Sequence, residues 1–222
     1  SNWDEAALAV EKALELDPNL AEAHASLGFI QMFYRWDWRN AEESFKKSIE
    51  FSPNYATAHH WYAQLLAIQG RNTEAKTEMR RALEINPISH NFLADLGQIH
   101  YFAREYETAK EYCRKALEIY PDFIFAHEYL HDIYLKTGEY DDAVEEEIKS
   151  QKINGAFANE SARRRKDLEA SLEMQKNIYQ QGGVKKFVRN LIGETQNPSG
   201  FYLLATRYAF LGEKEKAFDC LE

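Results

Sequence analysis

Seven histidines and two cysteines are the side chains of this sequence best suited to hold a metal or attack a substrate. His24, His59 and His127 stand in near-identical phrases, AHA, AHH and AHE, which puts them at one register of successive helices. Packed helices lie about 8–10 Å apart, whereas zinc needs its ligands about 2 Å from one ion. His59 and His60 are neighbours in the chain and point different ways on a helix. No metal site follows from this pattern. The expectation is that these histidines pack and hydrogen-bond where helical units meet. Cys113 sits on an apolar helix face and reads as an inert core thiol. Together with Cys220 it makes neither a disulfide framework nor a zinc site. There is no glycine-rich phosphate loop, no GxSxG elbow and no HExxH pair. No catalytic residue and no cofactor are assigned, and the chain reads as a non-enzyme.

The helices that must place these side chains recur at a fixed period. Pro18, Pro53, Pro87 and Pro121 are spaced 35, 34 and 34 residues apart and end similar phrases, ALELDP, SIEFSP, ALEINP and ALEIYP. Twelve residues before each proline stands an alanine: Ala6, Ala41, Ala75 and Ala109. Ala143 and Ala217 continue that ladder. Five residues before each proline the side chain is again small: Ala13, Ser48, Ala82 and Ala116. Leu27-Gly28, Tyr62-Ala63 and Leu96-Gly97 supply a large-small pair in the preceding helix, and Leu130-His131 departs from it. Gly70, Gly138 and Gly212 fall at the inner turn of a hairpin. Arg104 replaces that glycine once, and an extra residue near Tyr34–Asp37 lengthens another turn. This pattern strongly resembles the tetratricopeptide repeat (TPR). The resemblance implies an all-α fold, a TPR solenoid in which antiparallel helix pairs stack into a right-handed superhelix. One hairpin cannot bury its own apolar face, so stacking supplies the core.

The expected organisation is a half repeat plus four full repeats over 3–155, an atypical helical segment over 156–197, and a truncated repeat over 198–222. The fifth unit's second helix is expected from about Tyr140 to Lys152, with Gly155 where proline would stand. Residues 160–181 read as one long helix, 184–192 as a short amphipathic one, and Pro198 opens the next. Both ends read as cut inside a repeat, as in a fragment of a longer protein.

Composition narrows the partners. Hydrophobic residues make up 45% and charged residues 28%, which is globular chemistry and not disorder. The net charge of −9 disfavours nucleic acid, whose backbone is read first by excess Lys and Arg. Arg163–Lys166, the one dense basic run, is flanked by acids and reads as a solvated face. No apolar run approaches the roughly 18 residues a membrane helix needs, so no membrane insertion is expected. The location is read as cytoplasmic, or periplasmic should a span precede this segment.

In the TPR family ligands lie in the groove lined by the first helix of each pair. Carrying those positions over marks Phe29, Met32 and Phe33, then His60, Gln64 and Ile68, then Asn91, Gln98, Tyr101 and Phe102, then Phe125, Glu128 and Asp132. Rings would supply contact area and amides would bond an extended backbone. The partner implied is a protein or an extended peptide. Chaperone-tail binders of this family place Lys and Asn where this sequence has Ala25, Phe29, His60, Gln64, Ala94 and Gln98, so that two-carboxylate clamp is missing. Trp36-Asp37-Trp38, Asn54-Tyr55-Ala56, His59-His60-Trp61-Tyr62 and the later FLGEKEKAFDCLE are similar to the C-terminal TPR regions of bacterial multidomain regulators. The function implied is a binding scaffold in such a regulator. Self-association through the cut ends, and a small-molecule sensor at the solenoid's interruption, are the alternatives.

Overall fold

The computed structural model describes residues 2–157 and, beyond them, Met174, Asn177, Gln180, Gln181, Gly183, Lys186 and Arg189. Among the described residues there are helices and no strands: α1 (Asn2–Leu16), α2 (Ala21–Phe33), α3 (Trp38–Phe51), α4 (Ala56–Ile68), α5 (Asn72–Ile85), α6 (His90–Phe102), α7 (Tyr106–Ile119), α8 (Ile124–Thr137) and α9 (Tyr140–Phe157). None of them is long and apolar enough to cross a membrane. The expectations for 156–197 and 198–222, including the basic run, Gly212, Ala217 and Cys220, lie almost wholly outside the described residues. The chain divides into two compact units, Ser1–Ile133 and Tyr134–Glu222.

In the first unit α2 packs on α3, α4 on α5 and α6 on α7, and each hairpin leans on the next through α3 with α4 and α5 with α6. The first helices of the pairs also touch, α2 with α4 and α4 with α6. Proline ends each second helix: α1, α3, α5 and α7 stop two residues before Pro18, Pro53, Pro87 and Pro121. The ring disfavours helical backbone in the residue before it and cannot continue the ladder. Where Gly155 replaces proline, α9 does not end near Lys152 but runs on to Phe157. A helical glycine costs about 1 kcal/mol against alanine, far less than proline's roughly 3 kcal/mol, so it does not force a stop.

The small-residue ladders are the floor of the hairpin interfaces. Ala41, Ala75 and Ala109 are fully buried, as are Ser48, Ala82 and Ala116. The Ser48 hydroxyl donates to the Ala21 carbonyl at 2.7 Å, so its burial leaves no orphaned polar atom. Ala6, on α1, is exposed. Leu65, Leu66, Met79, Leu96 and Ile99 fill the layer between the hairpins.

Gly97 shows how close the paired helices come. A Cβ there would lie 2.6 Å from Cys113 Sγ and 3.0 Å from the Ala109 carbonyl oxygen. The second is backbone and cannot swing aside. Gly97→Ala is therefore expected to lower stability by about 1–3 kcal/mol, read as a drop in urea midpoint. Adding Cys113→Ala should recover only part of it.

The inner turns share one backbone device. Gly70 and Gly138 have φ of +77° and +83°, and Arg104 and Trp36 hold the same left-handed conformation at +62° and +54°. Arg71 N–H donates to the Leu66 carbonyl and Glu105 N–H to the His100 carbonyl, each five residues back. At the lengthened turn Asp37 N–H reaches the Gln31 carbonyl, six residues back, which absorbs the extra residue. Left-handed backbone costs an L-residue about 1–2 kcal/mol, partly offset by glycine's larger entropy loss. Arg104→Gly should thus raise stability by about 0.5–1 kcal/mol in the same urea measurement.

Candidate functional site

The helix in first position of each pair carries almost no charge, so it is tolerated between its partner and the next hairpin. In α2, α4, α6 and residues 124–133 of α8 the only charged side chains are Glu22, Asp95, Glu128 and Asp132. Asp95 is 9% exposed. A buried carboxylate is stable only when hydrogen bonds replace its water. Three side chains do so. His60 Nε2 donates to Asp95 Oδ2 at 2.6 Å, Gln64 Nε2 donates to the same oxygen at 2.8 Å, and Tyr129 donates its hydroxyl to Oδ1 at 3.2 Å. Asp95 thereby ties α4, α6 and α8 together. Burial, then the Asp95 charge beside it, pushes the Tyr129 phenol well above its ordinary value, so it stays a neutral donor.

This arrangement fixes the Gln64 amide. Its NH2 must face the carboxylate, so its carbonyl oxygen is turned to accept from another group. On α6 Asn91 is exposed and Gln98 half-buried, and their amides bond to none of the described residues. Beside this polar row runs an apolar one. Phe33, Ile68 and Phe102 occupy one register of α2, α4 and α6, and are 42%, 46% and 48% exposed.

An aromatic cluster closes the α1–α2 end. The Phe29 ring lies 4.7 Å from Phe33, 4.6 Å from Trp61 and 6.1 Å from Trp3. Trp3 stacks on Tyr34 at 5.7 Å, and the Tyr34 hydroxyl donates to Asp4 at 2.9 Å. On α6 Tyr101 packs 5.7 Å from Phe102 and 6.0 Å from Tyr106. Phe125 is half exposed with its ring edge-on to Phe123, and Glu128 and Asp132 are exposed on α8.

The sequence-selected residues therefore gather as Phe29 with Phe33, His60 with Gln64, and Tyr101 with Phe102. They do not converge on one point but line four successive helices. Two are exceptions: Met32, at 1% exposure, belongs to the core with Phe45 and Leu66, and His60, at 9%, is buried against Asp95 and Phe92, so neither lies on an open binding face. Sequence reasoning leaves Asp95, Tyr129, Trp3 and Trp61 out of the site. A lone acid between Ala94 and Leu96 in an otherwise uncharged helix is the available signal for Asp95.

The repeated histidines do what their register suggests. Nε2 of His24, His59 and His127 donates to the carbonyls of Pro18, Pro53 and Pro121 at 2.8, 3.0 and 2.9 Å. Each imidazole thus fastens the turn six residues before it. Leu93 takes this register after Pro87, and there the turn is held by the Ser89 hydroxyl, which accepts from Phe92 N–H. His59 also meets Glu78 at 2.6 Å. Burial pushes the Cys113 thiol up to about 12, which keeps it protonated and unreactive.

Tetratricopeptide repeat models match residues 44–77 and 90–123. No curated protein matches the sequence. Among solved structures, MamA is 26% identical, covering 71% of this chain and 92% of its own, with a TM-score of 0.59. YrrB, described as a TPR protein with an unusual peptide-binding site, is 16% identical over 96% of this chain and 89% of its own, with a TM-score of 0.54. PilW, a type IV pilus biogenesis factor, is 18% identical over 98% of this chain and 82% of its own, at 0.65. The last two likenesses show the fold alone. With the period, the paired helices and both repeat matches in agreement, the chain is a tetratricopeptide-repeat protein.

Proposed function

We propose that this chain is a non-catalytic scaffold that holds an extended segment of another protein along the first helices of its pairs. One observation carries the reading: Phe33, Ile68 and Phe102 stay solvent-exposed at one register of three adjoining helices, beside the amides of Gln64 and Gln98. A row that repeats with the helices suits a ligand that is itself linear. The description of YrrB as peptide-binding is consistent with such a use of this fold. The reading includes a half repeat plus four full repeats over 3–155 as the binding body. It also includes a role as the interaction module of a larger bacterial regulator, acting in the cytoplasm. The groove positions Asn91, Tyr101, Phe125, Glu128 and Asp132 extend the same surface.

A peptide array probed with the full chain, followed by single substitutions Gln64→Ala, Gln98→Ala and Tyr101→Ala, tests the assignment. The expected result is a set of captured peptides whose affinity falls about tenfold or more with at least one change. A hydrogen bond to a ligand left unpaired costs about 1–3 kcal/mol. Captured peptides indifferent to all three substitutions would place binding elsewhere.

A further inference from the structure

The turn between α6 and α7 is closed differently from its neighbours. His100 takes the register of Gln31 and Leu66, whose carbonyls close the two turns before it. Its own carbonyl does the same, accepting from Glu105 N–H at 2.9 Å. Its imidazole then grips that residue a second time, with Nδ1 donating to the Glu105 carboxylate at 2.5 Å. The other oxygen of the carboxylate accepts from Lys76 Nζ of α5 at 2.7 Å. Glu105 thus ties the turn of one hairpin to the second helix of the hairpin before it. Arg104, between the two residues, holds the left-handed backbone that Gly70 takes one repeat earlier, so the clasp works against strain. The imidazole is 3% exposed, and its Nε2 is sealed with no hydrogen-bond partner among the described residues.

From this cluster we propose that the α6–α7 turn is an acid-sensitive latch. While His100 is neutral it fixes the end of α6, which carries Tyr101 and Phe102. When His100 takes up a proton, the turn opens and loosens that part of the binding row. Release of a bound segment as the purpose of the latch rests on the scaffold reading above, whereas the latch itself does not.

The chemistry of the ring sets the direction. A neutral imidazole has one donor and one acceptor, and a carboxylate can only accept, so Nδ1 carries the hydrogen. A second proton goes on Nε2, where it becomes a buried donor with nothing to bond. The groups packed round the ring add to this. From the α7 side Glu105 attracts the new charge, and Tyr112 stacks on the ring at 5.3 Å. From α5 Lys76 and Arg80 repel it. The other helix packed on α6, α4, brings no Asp, Glu, Lys or Arg. On α6 itself Asp95 is committed to His60, Gln64 and Tyr129. Burial outweighs the Glu105 hydrogen bond and holds the imidazole below its ordinary 6.5. The closed turn therefore resists the proton and the open turn accepts it. A lowered folded-state value leaves the turn fully closed above about pH 6.5 and weakens it as pH falls below that. Glu105 stays ionised throughout, because Lys76 first and His100 second hold its carboxyl below 4.5.

The test is residue-resolved amide hydrogen exchange of the full chain, expressed as protection factors so that the intrinsic pH dependence of exchange divides out. Protection of residues 103–105 is expected to fall about fivefold between about pH 7.5 and about pH 5.5. The turn at residues 69–71, with Leu66 at the histidine's register, should keep its protection. His100→Asn offers an amide hydrogen where Nδ1–H stands and has no basic nitrogen, so its turn should be equally protected at both pH values. The same loss in wild type and His100→Asn overturns the latch, and so does the same loss in both turns of the wild type. The second comparison needs no variant and decides the matter should His100→Asn fail to fold.

Release is tested with the tightest array peptide. It is expected to bind wild type about fivefold more weakly at the lower pH and His100→Asn equally at both. Equal weakening in the two proteins, or none in either, overturns release as the latch's purpose and leaves the scaffold reading standing. An array that captures no peptide removes the scaffold reading, and release with it, whatever the exchange data show.

Discussion

Truncation of Asp95 to alanine is expected to lower stability by about 3 kcal/mol, the largest loss expected from any single polar side chain. The carboxylate accepts from His60, Gln64 and Tyr129, which sit on α4 and α8 while Asp95 sits on α6. Removing it strands three donors in a region that is largely dry. Each hydrogen bond to a charged acceptor is worth about 1.5–3 kcal/mol, but half-buried Gln64 and Tyr129 can recover water. That recovery is why the loss is set below the roughly 4.5 kcal/mol that three such bonds at their weakest would sum to. Asp95→Asn keeps the shape and should lose about half as much, since its NH2 must face one of the donors. In a solenoid, stability is a sum of repeat and interface terms. The loss should therefore fall on the coupling between hairpins, and the urea transition should broaden as well as shift. A sharp, wild-type transition in the alanine variant would mean that the three helices are held by apolar contact alone.

The second large effect is acid sensitivity through Glu42. Its carboxylate accepts from Tyr62 at 2.9 Å and from Arg71 at 2.9 Å, and pairs with Lys46 at 2.7 Å. Burial by itself raises the carboxyl's pKa, but hydrogen bonds from Lys46, Arg71 and Tyr62 outweigh it and hold the group at about 2, against an ordinary 4.5. A folded-state pKa below the unfolded one adds stability that is complete above about pH 4.5 and disappears as pH falls through about 2. The full shift corresponds to about 3 kcal/mol. Lys46 is more than half exposed, so its share is screened, and about 2 kcal/mol is the working figure. The stability gap between wild type and Glu42→Gln should therefore be about 2 kcal/mol at neutral pH and close towards pH 2. Other carboxylates titrate in both proteins and cancel in the difference. A gap that does not change with pH would assign Glu42's effect to packing.

What the sequence makes legible is whatever depends on period. Prolines and alanines recurring at 34–35 residues mark the hairpins, because a solenoid repeats its steric demands in every unit. The histidine register is legible for the same reason: the AHx phrase six residues after proline recurs with its carbonyl partner. Asp95 is not, because its importance comes from Gln64 and His60, one repeat before it, and Tyr129, one repeat after. The lone acid of α6 marks the residue, but no pattern within one helix announces its three partners. Met32 is misplaced by the groove positions because its register lies at the border of face and core: Met32 on α2 and Ala67 on α4 are both buried. The equivalent residue on α6, Tyr101, is half-buried, whereas Met32 is sealed in the cluster that holds Phe29 and Phe45. The end of α9 escapes the pattern because proline marks a stop and glycine does not enforce one.

Binding along the first-helix face is tested most directly by site-specific photo-cross-linking. A benzophenone amino acid is placed in the full chain at Phe102, on that face, or at Phe51, at the exposed end of an outer helix. Each protein is irradiated with the tightest array peptide. Cross-links from Phe102 and none from Phe51, abolished by excess unlabelled peptide, are the expected result. Cross-links from Phe51 with Phe102 silent would contradict it.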